Sequence, residues 1–236
     1  VGDTVGISIN VPGNDNDQDK TNQRVVVFRE VKYVIFADDF EGEDKGWTSG
    51  KVQFGTSDWE VRSITASSGA NSMDSGYRNS NPTPSDTYVS TPALDLGLPV
   101  EADLQMKISY YAYFTYDGYQ AQISEDGGST WTMIAPEGGY PRSLSTYSYY
   151  GNPLRGQPGY TYYGSSTGFT SAPDGNSYID VKFNLDAYTG QDDIKFRWVA
   201  GWGTLNKNYG FYNSFLRFDD FAVTGLVYND NVGVSA

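Results

Sequence analysis

The side chains with the most chemical potential are acidic and come in adjacent pairs. Phe36-Ala37-Asp38-Asp39-Phe40-Glu41-Gly42, with Trp47 following, and Phe218-Asp219-Asp220-Phe221-Ala222-Val223 each set two aspartates inside an apolar, strand-like pattern. Neighbouring strand residues face opposite ways, so one Asp of each pair is expected to point inward unless a bulge intervenes. A buried carboxylate without a partner is costly, and either a calcium ion or an arginine such as Arg197 or Arg217 would remove that cost. Two acidic strand ends with backbone carbonyls could supply the roughly six to eight oxygens calcium takes. Asp38, Asp39, Glu41, Asp219 and Asp220 are therefore the candidate calcium ligands.

Other chemistries are excluded by composition. The chain of 236 residues has no Cys and no His, which removes thiol nucleophiles, Ser-His triads, disulfides, haem ligation and ordinary zinc or copper sites. A glycosidase needs two carboxylates about 5 to 10 Å apart, but the glutamates stand at 30, 41, 43, 60, 101, 125 and 137, and none is expected to sit alternately on one strand as a Glu-x-Glu pair facing a cleft. Catalysis is not expected. Asp15-x-Asp17-x-Asp19 has the spacing of a calcium loop, yet Lys20 and Val26 stand where an EF-hand-type loop needs Gly and a bidentate Glu, so a solvated turn is the expectation. A net charge of -13 repels phosphate backbones and anionic membranes, leaving no nucleic-acid or membrane partner.

Aromatic residues are abundant: 20 Tyr, 12 Phe and 5 Trp against 3 Met, a balance that suits pleated sheets better than helices. Rings of this kind stack on sugars or line protein interfaces. Tyr147, Tyr149, Tyr150, Tyr160, Tyr162 and Tyr163, with Trp202, Tyr209 and Tyr212, are the candidate binding surface. Most belong to an excursion from Glu137 to Tyr178 that holds eight Tyr, eight Gly and four Pro. Loops of this length are uncommon unless functional or disordered. An ordered contact surface and a packed cover over one sheet are both open readings.

The elements that must position these residues read as strands. Leu104, Met106, Ile108, Tyr110, Ala112 and Phe114 alternate with polar or outward residues; so do Tyr119, Ala121 and Ile123, then Ile179, Val181, Phe183 and Leu185, then Ile194, Phe196, Trp198 and Ala200. Asp117-Gly118, Asp126-Gly127-Gly128 and Thr189-Gly190 mark turns between them. No sustained 3.6 period and no long repeat is visible, so the chain is expected to be all-β, with a two-sheet sandwich beginning at Tyr33. Residues 229–236 form a short tail. Val5, Ile7, Ile9 and Val11 alternate strictly and, after a polar stretch, Val25 to Phe28 resume an extended run, so residues 1–32 are expected to be an N-terminal β-hairpin extension. Two strands alone are marginal, and Val5, Ile7, Ile9 and Val11 are the candidate assembly strand, donated to a neighbouring copy or folded back on the same chain. The chain begins at Val1 and shows neither an apolar spanning run nor a signal segment, which reads as a processed or excised piece of a secreted, prokaryotic protein.

Ser124-Glu125-Asp126-Gly127-Gly128-Ser129-Thr130-Trp131 matches the Asp-box pattern, Ser-x-Asp-x-Gly-x-x-Trp, in which the Asp accepts turn N–H groups and the glycines allow positive φ. In a single copy it reads as a structural hairpin turn.

The order Asp39-Phe40-Glu41, Gly46-Trp47, Trp59, Ser90 to Leu96, Ser124 to Trp131, Tyr163-Gly164-Ser165, Asn184 to Gln191, Ile194 to Trp198 and Phe218 to Phe221 resembles the jelly-roll modules of bacterial secreted proteins: MAM-like domains, the cleaved-adhesin domains of gingipains and the C-terminal module of immune inhibitor A peptidases. That resemblance spans residues 33–228. It implies a non-catalytic, commonly calcium-stabilised sandwich, with Asp39 or Glu41 and Asp219 or Asp220 as metal ligands. Residues 1–32 look similar to the last hairpin of an Ig-like surface domain. The resulting expectation is an extracellular adhesive or structural module that works by protein–protein assembly, a filament or array subunit included. The alternatives are a carbohydrate-binding accessory module and, less favoured, a glycosidase.

Overall fold

Alternating apolar residues can bury one face only if two sheets lie face to face, and this is the arrangement found. The structure, a computed structural model, describes residues 5–7, 26–76, 84–112, 114–146, 151–161, 177–203 and 214–231. Its strands are β1 (Val5–Ile7), β2 (Val26–Asp38), β3 (Thr48–Lys51), β4 (Glu60–Arg62), β5 (Ser72–Asp74), β6 (Ser85–Ser90), β7 (Glu101–Tyr111), β8 (Gly118–Ser124), β9 (Thr132–Met133), β10 (Arg142–Ser143), β11 (Pro158–Gly159), β12 (Ile179–Asn184), β13 (Lys195–Trp202) and β14 (Phe215–Asn231). The helical pieces among the described residues are two 3-10 turns, Phe114–Tyr116 and Asp186–Tyr188. Phe114 thus sits in a turn just past the strand it was expected to extend. None of these pieces is long and apolar enough to cross a membrane.

One sheet has seven strands and the other five, all antiparallel, which makes the chain an all-β sandwich of jelly-roll type. In the larger sheet β14 is the spine. β7 runs along one side of it, with β12 beyond, while β2 and then β5 share the other side. β1 lies outside β2 and β4 outside β5. The five-stranded sheet has the order β3-β6-β13-β8-β9. A two-stranded ribbon, β10 with β11, lies against β8, where the Gln120 side chain donates to the Pro158 carbonyl.

Between the sheets lies a core built from rings. Tyr119, Phe183, Phe196, Trp198, Trp202, Phe218 and Phe221 are fully enclosed, with Leu94, Leu96, Leu104 and Ile108 among them. Burying each such side chain is worth roughly 1.5–3 kcal/mol. Edge-to-face contacts such as Phe183–Phe196 at 5.3 Å and Phe196–Trp198 at 5.8 Å show the offset geometry that ring quadrupoles prefer. The alternation read from β7, β8, β12 and β13 places their inward residues here, apart from Ile179, which is 39% exposed at the start of its strand.

The boundaries read from sequence do not mark breaks in the backbone. β2 runs uninterrupted across position 32/33 and β14 across 228/229. Val5 pairs with Phe28 and Ile7 with Val26 of the same chain, while Ile9 and Val11 lie outside the described residues. β7 stops at Glu101, opposite Leu226, and β2 and β14 continue past it as a ribbon.

Candidate functional site

The acidic strand ends do divide into one buried and one more exposed residue each. Asp38 is 4% exposed and Asp219 fully enclosed; Asp39 is exposed and Asp220 half-buried. Kinks accompany both pairs, with φ of 58° at Phe40 and 51° at Asp220, and a shift in the β7–β14 register after Asp219. Neither suggested arginine partners them. Asp38 accepts from the Phe40 N–H at 3.0 Å and the Trp47 indole at 2.8 Å, with Lys45 at 3.8 Å. Three other carboxylates grip one loop. Glu41 Oε1 accepts from the N–H groups of Ala70 and Asn71 at 2.7 and 2.6 Å, Asp219 Oδ2 from those of Ser67 and Ser68 at 2.8 and 3.0 Å, and Asp220 Oδ1 from the Ser68 hydroxyl at 2.6 Å. Burial pushes the Asp219 carboxyl above its ordinary value, and the backbone N–H bonds oppose that rise.

The donor set, hard carboxylates around one loop, suits calcium chemically. As arranged, however, the oxygens are spent on N–H and O–H donors, and among the described residues no three acidic side chains are grouped to hold an ion. The cluster Asp15, Asp17 and Asp19 lies outside the described residues.

Two aromatic candidates are core residues instead of surface ones. Trp202 is 1% exposed because it continues the inward face Phe196, Trp198, Ala200 of β13. Tyr160 is 6% exposed, paired with Tyr119 by an isolated bridge and packed edge-on against Tyr110, Tyr140 and Trp198 at 5.3, 5.4 and 5.9 Å. Tyr147, Tyr149, Tyr150, Tyr162, Tyr163, Tyr209 and Tyr212 lie outside the described residues. Where the excursion is described, it packs as a cover: Leu144 and Leu154 close over Val199 and Tyr88 on the outer face of the five-stranded sheet.

That cover leaves a groove of about 290 Å³ beside it. Its floor is the outward face of three strands: Asp86 from β6, Gln122 from β8 and Val199 from β13. One wall is the segment after β3, Val52 to Phe54, and the other is Gly151 to Arg155. Both walls are fixed to the sheet by specific bonds. Asp86 Oδ1 accepts from the N–H groups of Gln53 and Phe54 at 2.9 and 2.7 Å. Asn152, buried, donates to the carbonyls of Tyr116 and Gly201 and accepts from the Leu154 N–H. Phe54 remains 53% exposed and Val52 41%. The groove therefore offers an apolar ring, the amides of Gln53 and Gln122, a carboxylate and the exposed Arg155 in one concavity, with the Asn152 amide spent on holding the wall.

Beside Gln122 the sheet face carries a buried guanidinium. Arg197 donates through Nε and Nη2 to Gln122 Oε1 at 2.8 and 2.6 Å, and its carbon lies 4.1 Å from the Trp131 ring and 5.2 Å from that of Tyr88. Trp131 is held by the Asp-box turn as its residues imply. Asp126 accepts from the Thr130 N–H, the Thr130 hydroxyl and the Ser124 hydroxyl; Gly127 and Gly128 take φ of 68° and 102°; and the indole donates to the Gly128 carbonyl at 2.9 Å. The turn is structural, but it also presents a ring to the same face as the groove.

None of Phe54, Asp86, Tyr88, Gln122 or Asn152 was singled out by sequence. A signal existed for some of them: Gln120 and Gln122 are the outward set between Tyr119, Ala121 and Ile123, as Tyr88 is opposite Thr87 and Val89.

No protein-family model matches the sequence, and no curated protein does. Solved structures similar to the chain include the K3 cleaved adhesin domain of Lys-gingipain from Porphyromonas gingivalis, with 15% identity over 82% of this chain and 100% of that one and a TM-score of 0.46. A CBM61 module in complex with β-1,4-galactotriose has 12% identity, covering 81% and 97%, with a TM-score of 0.44. The CBM22-1 xylan-binding domain from Paenibacillus barcinonensis Xyn10C has 10% identity, covering 83% and 95%, with a TM-score of 0.43. Likeness at this level adds nothing to what the two sheets already show.

Proposed function

We propose that the chain is a non-catalytic extracellular binding module and that a carbohydrate chain occupies the groove on the outer face of the five-stranded sheet. The observation that carries this reading is the groove itself: the exposed ring of Phe54 in one lining with the hydrogen-bonding side chains Gln53, Gln122, Asp86 and Arg155, on a floor held rigid by strands. Sugars present apolar faces and hydroxyl edges at once, so they need this mixture. At about 290 Å³ the groove is at the small end of ligand sites, which run from roughly 300 Å³ upward. Phe54 and Arg155 are exposed and carry little of the fold, so they make clean probes. Titration calorimetry on glycans retained from an array should show at least tenfold weaker binding for Phe54→Ala and Arg155→Ala, with no hydrolysis of the bound glycan. Unchanged affinity in both variants would sink the reading, as would turnover abolished by substituting one carboxylate.

Calcium at the loop 67–71 belongs to the same proposal. Glu41, Asp219 and Asp220 would hold it, taking their oxygens from the N–H and O–H donors that now occupy them. The ion would supply a native-state ligand that stabilises by mass action. Chelation should then lower the melting temperature of the wild-type chain and change that of Asp220→Ala less. A melting temperature indifferent to chelator leaves the hydrogen-bonded loop as the whole of the arrangement and removes calcium from the proposal.

A further inference from the structure

Among the described residues two arginines are buried in the sandwich, and they are compensated differently. Arg217, 4% exposed, donates through Nε to the enclosed Asp74 carboxylate at 2.7 Å. Arg197, 8% exposed, has no carboxylate within ion-pair distance among the described residues. Its Nε and Nη2 donate to a neutral amide oxygen on Gln122, and its remaining contacts are the rings of Trp131 and Tyr88. Nη1 makes no hydrogen bond among the described residues, yet it is not an enclosed orphan, so it reaches solvent on the outer face of the sheet. Ring faces attract a cation, but that attraction is small beside the cost of taking an ion out of water. Burial accordingly lowers the Arg197 pKa to about 10, against the opposing pull of Tyr88 and Asp86.

Asp86 is the acid nearest in effect, and one of its oxygens is already committed to the N–H groups of Gln53 and Phe54. Arg155 adds a second positive charge on the groove wall. Arg197 itself does not line the groove but binds Gln122, which does, so a ligand that runs past Gln122 meets a second guanidinium at the groove's edge, in a chain of net charge -13. An anionic ligand would find here a guanidinium that no carboxylate within ion-pair distance neutralises among the described residues.

We infer that Arg197 is a specificity residue for a carboxylate-bearing sugar, so that the ligand of the groove is an acidic, uronate-containing glycan whose carboxylate meets Nη1. This rests on the reading of the groove as a glycan site. The guanidinium suits the task because its fork is planar, always charged and pre-aligned by Gln122 and the two rings. No bond is made or broken; the carboxylate binds as the anion.

Matched pairs test the idea: oligogalacturonate, oligomannuronate and a hyaluronan fragment, each beside its carboxyl-reduced counterpart, titrated against the full chain at low and at moderate salt. The expected result is that at least one acidic oligomer binds tenfold or more tightly than its reduced partner, with the ratio falling as salt rises. Arg197→Gln should bring that ratio close to one, and Arg197→Lys should retain part of it. The wild-type ratio needs no variant to fold. Reduced oligomers bound as tightly as acidic ones would overturn the inference while leaving the glycan reading intact, and so would an undiminished ratio in a folded Arg197→Gln. Binding of no oligomer in either form would overturn the inference and leave the glycan reading to the array titration.

Discussion

Asp126 shows how much one side chain can organise. Its carboxylate takes a backbone N–H and a hydroxyl from Thr130 and a second hydroxyl from Ser124, and these bonds, the Thr130 hydroxyl first, hold its pKa near 2 against an ordinary 3.8. A carboxyl depressed by folding contributes stability that is present above its unfolded pKa and fades as the pH falls through its folded one. The window is therefore from about pH 4 down to about pH 2. Asp126→Asn should melt below the wild type at pH 6, and the gap should narrow through that window, because the wild type loses there what the variant never had. Parallel curves across the window would show that the charge of Asp126 does not stabilise the turn. The consequence reaches the outer face of the five-stranded sheet, since the turn carries Trp131 against Arg197.

At the scale of elements, the outer face of β13 decides where the groove lies. Val199 anchors Leu144 and Leu154, and Gly201 gives the Gly151–Arg155 wall its seat, because a Cβ there would stand 2.6 Å from Asn152 Oδ1 and 2.7 Å from Leu154 Cγ. Gly201→Ala should therefore lift this wall while sparing the inward core. Limited proteolysis is expected to cut faster near 151–157, and glycan affinity should fall at least tenfold, with a loss of stability in the roughly 1–3 kcal/mol range of overpacked sites. Wild-type cleavage and affinity in that variant would mean the wall is not held by this contact. The strands themselves were legible, since an alternating pattern fixes both the element and its buried face. Even Trp202 was: it extends the Phe196, Trp198, Ala200 series, and only its ring chemistry suggested exposure. Tyr160 and the groove were not legible in the same way. Tyr160 is buried through a single bridge to Tyr119, and the groove joins segments near positions 53, 86, 122, 153 and 199, whose meeting is set by strand order and not by any local pattern.

For the whole molecule, the decisive feature is that the two ends of the described chain share one sheet. β14 pairs with β2 from Phe221 to Asn231, and β1 lies on the far side of β2, so Val5–Ile7 and the start of β2, read from sequence as an N-terminal hairpin extension, share that sheet. The pairing of Val5 with Phe28 bears directly on assembly, because the hydrogen bonds β1 makes within its own chain are the ones it would make on a neighbouring copy. With β1 in its own sheet, the chain is expected to sediment as a monomer over a hundredfold range of concentration. Deleting residues 1–11 would then bare the edge of β2 at Val26 to Phe28, and an open edge recruits other strands. The truncated chain should self-associate more than the intact one. Donation between copies predicts the reverse order, an intact chain that polymerises head to tail and a truncated one that stays monomeric. Sedimentation velocity on the two forms side by side separates these outcomes, and polymers from the intact chain alone would replace in-chain pairing with exchange.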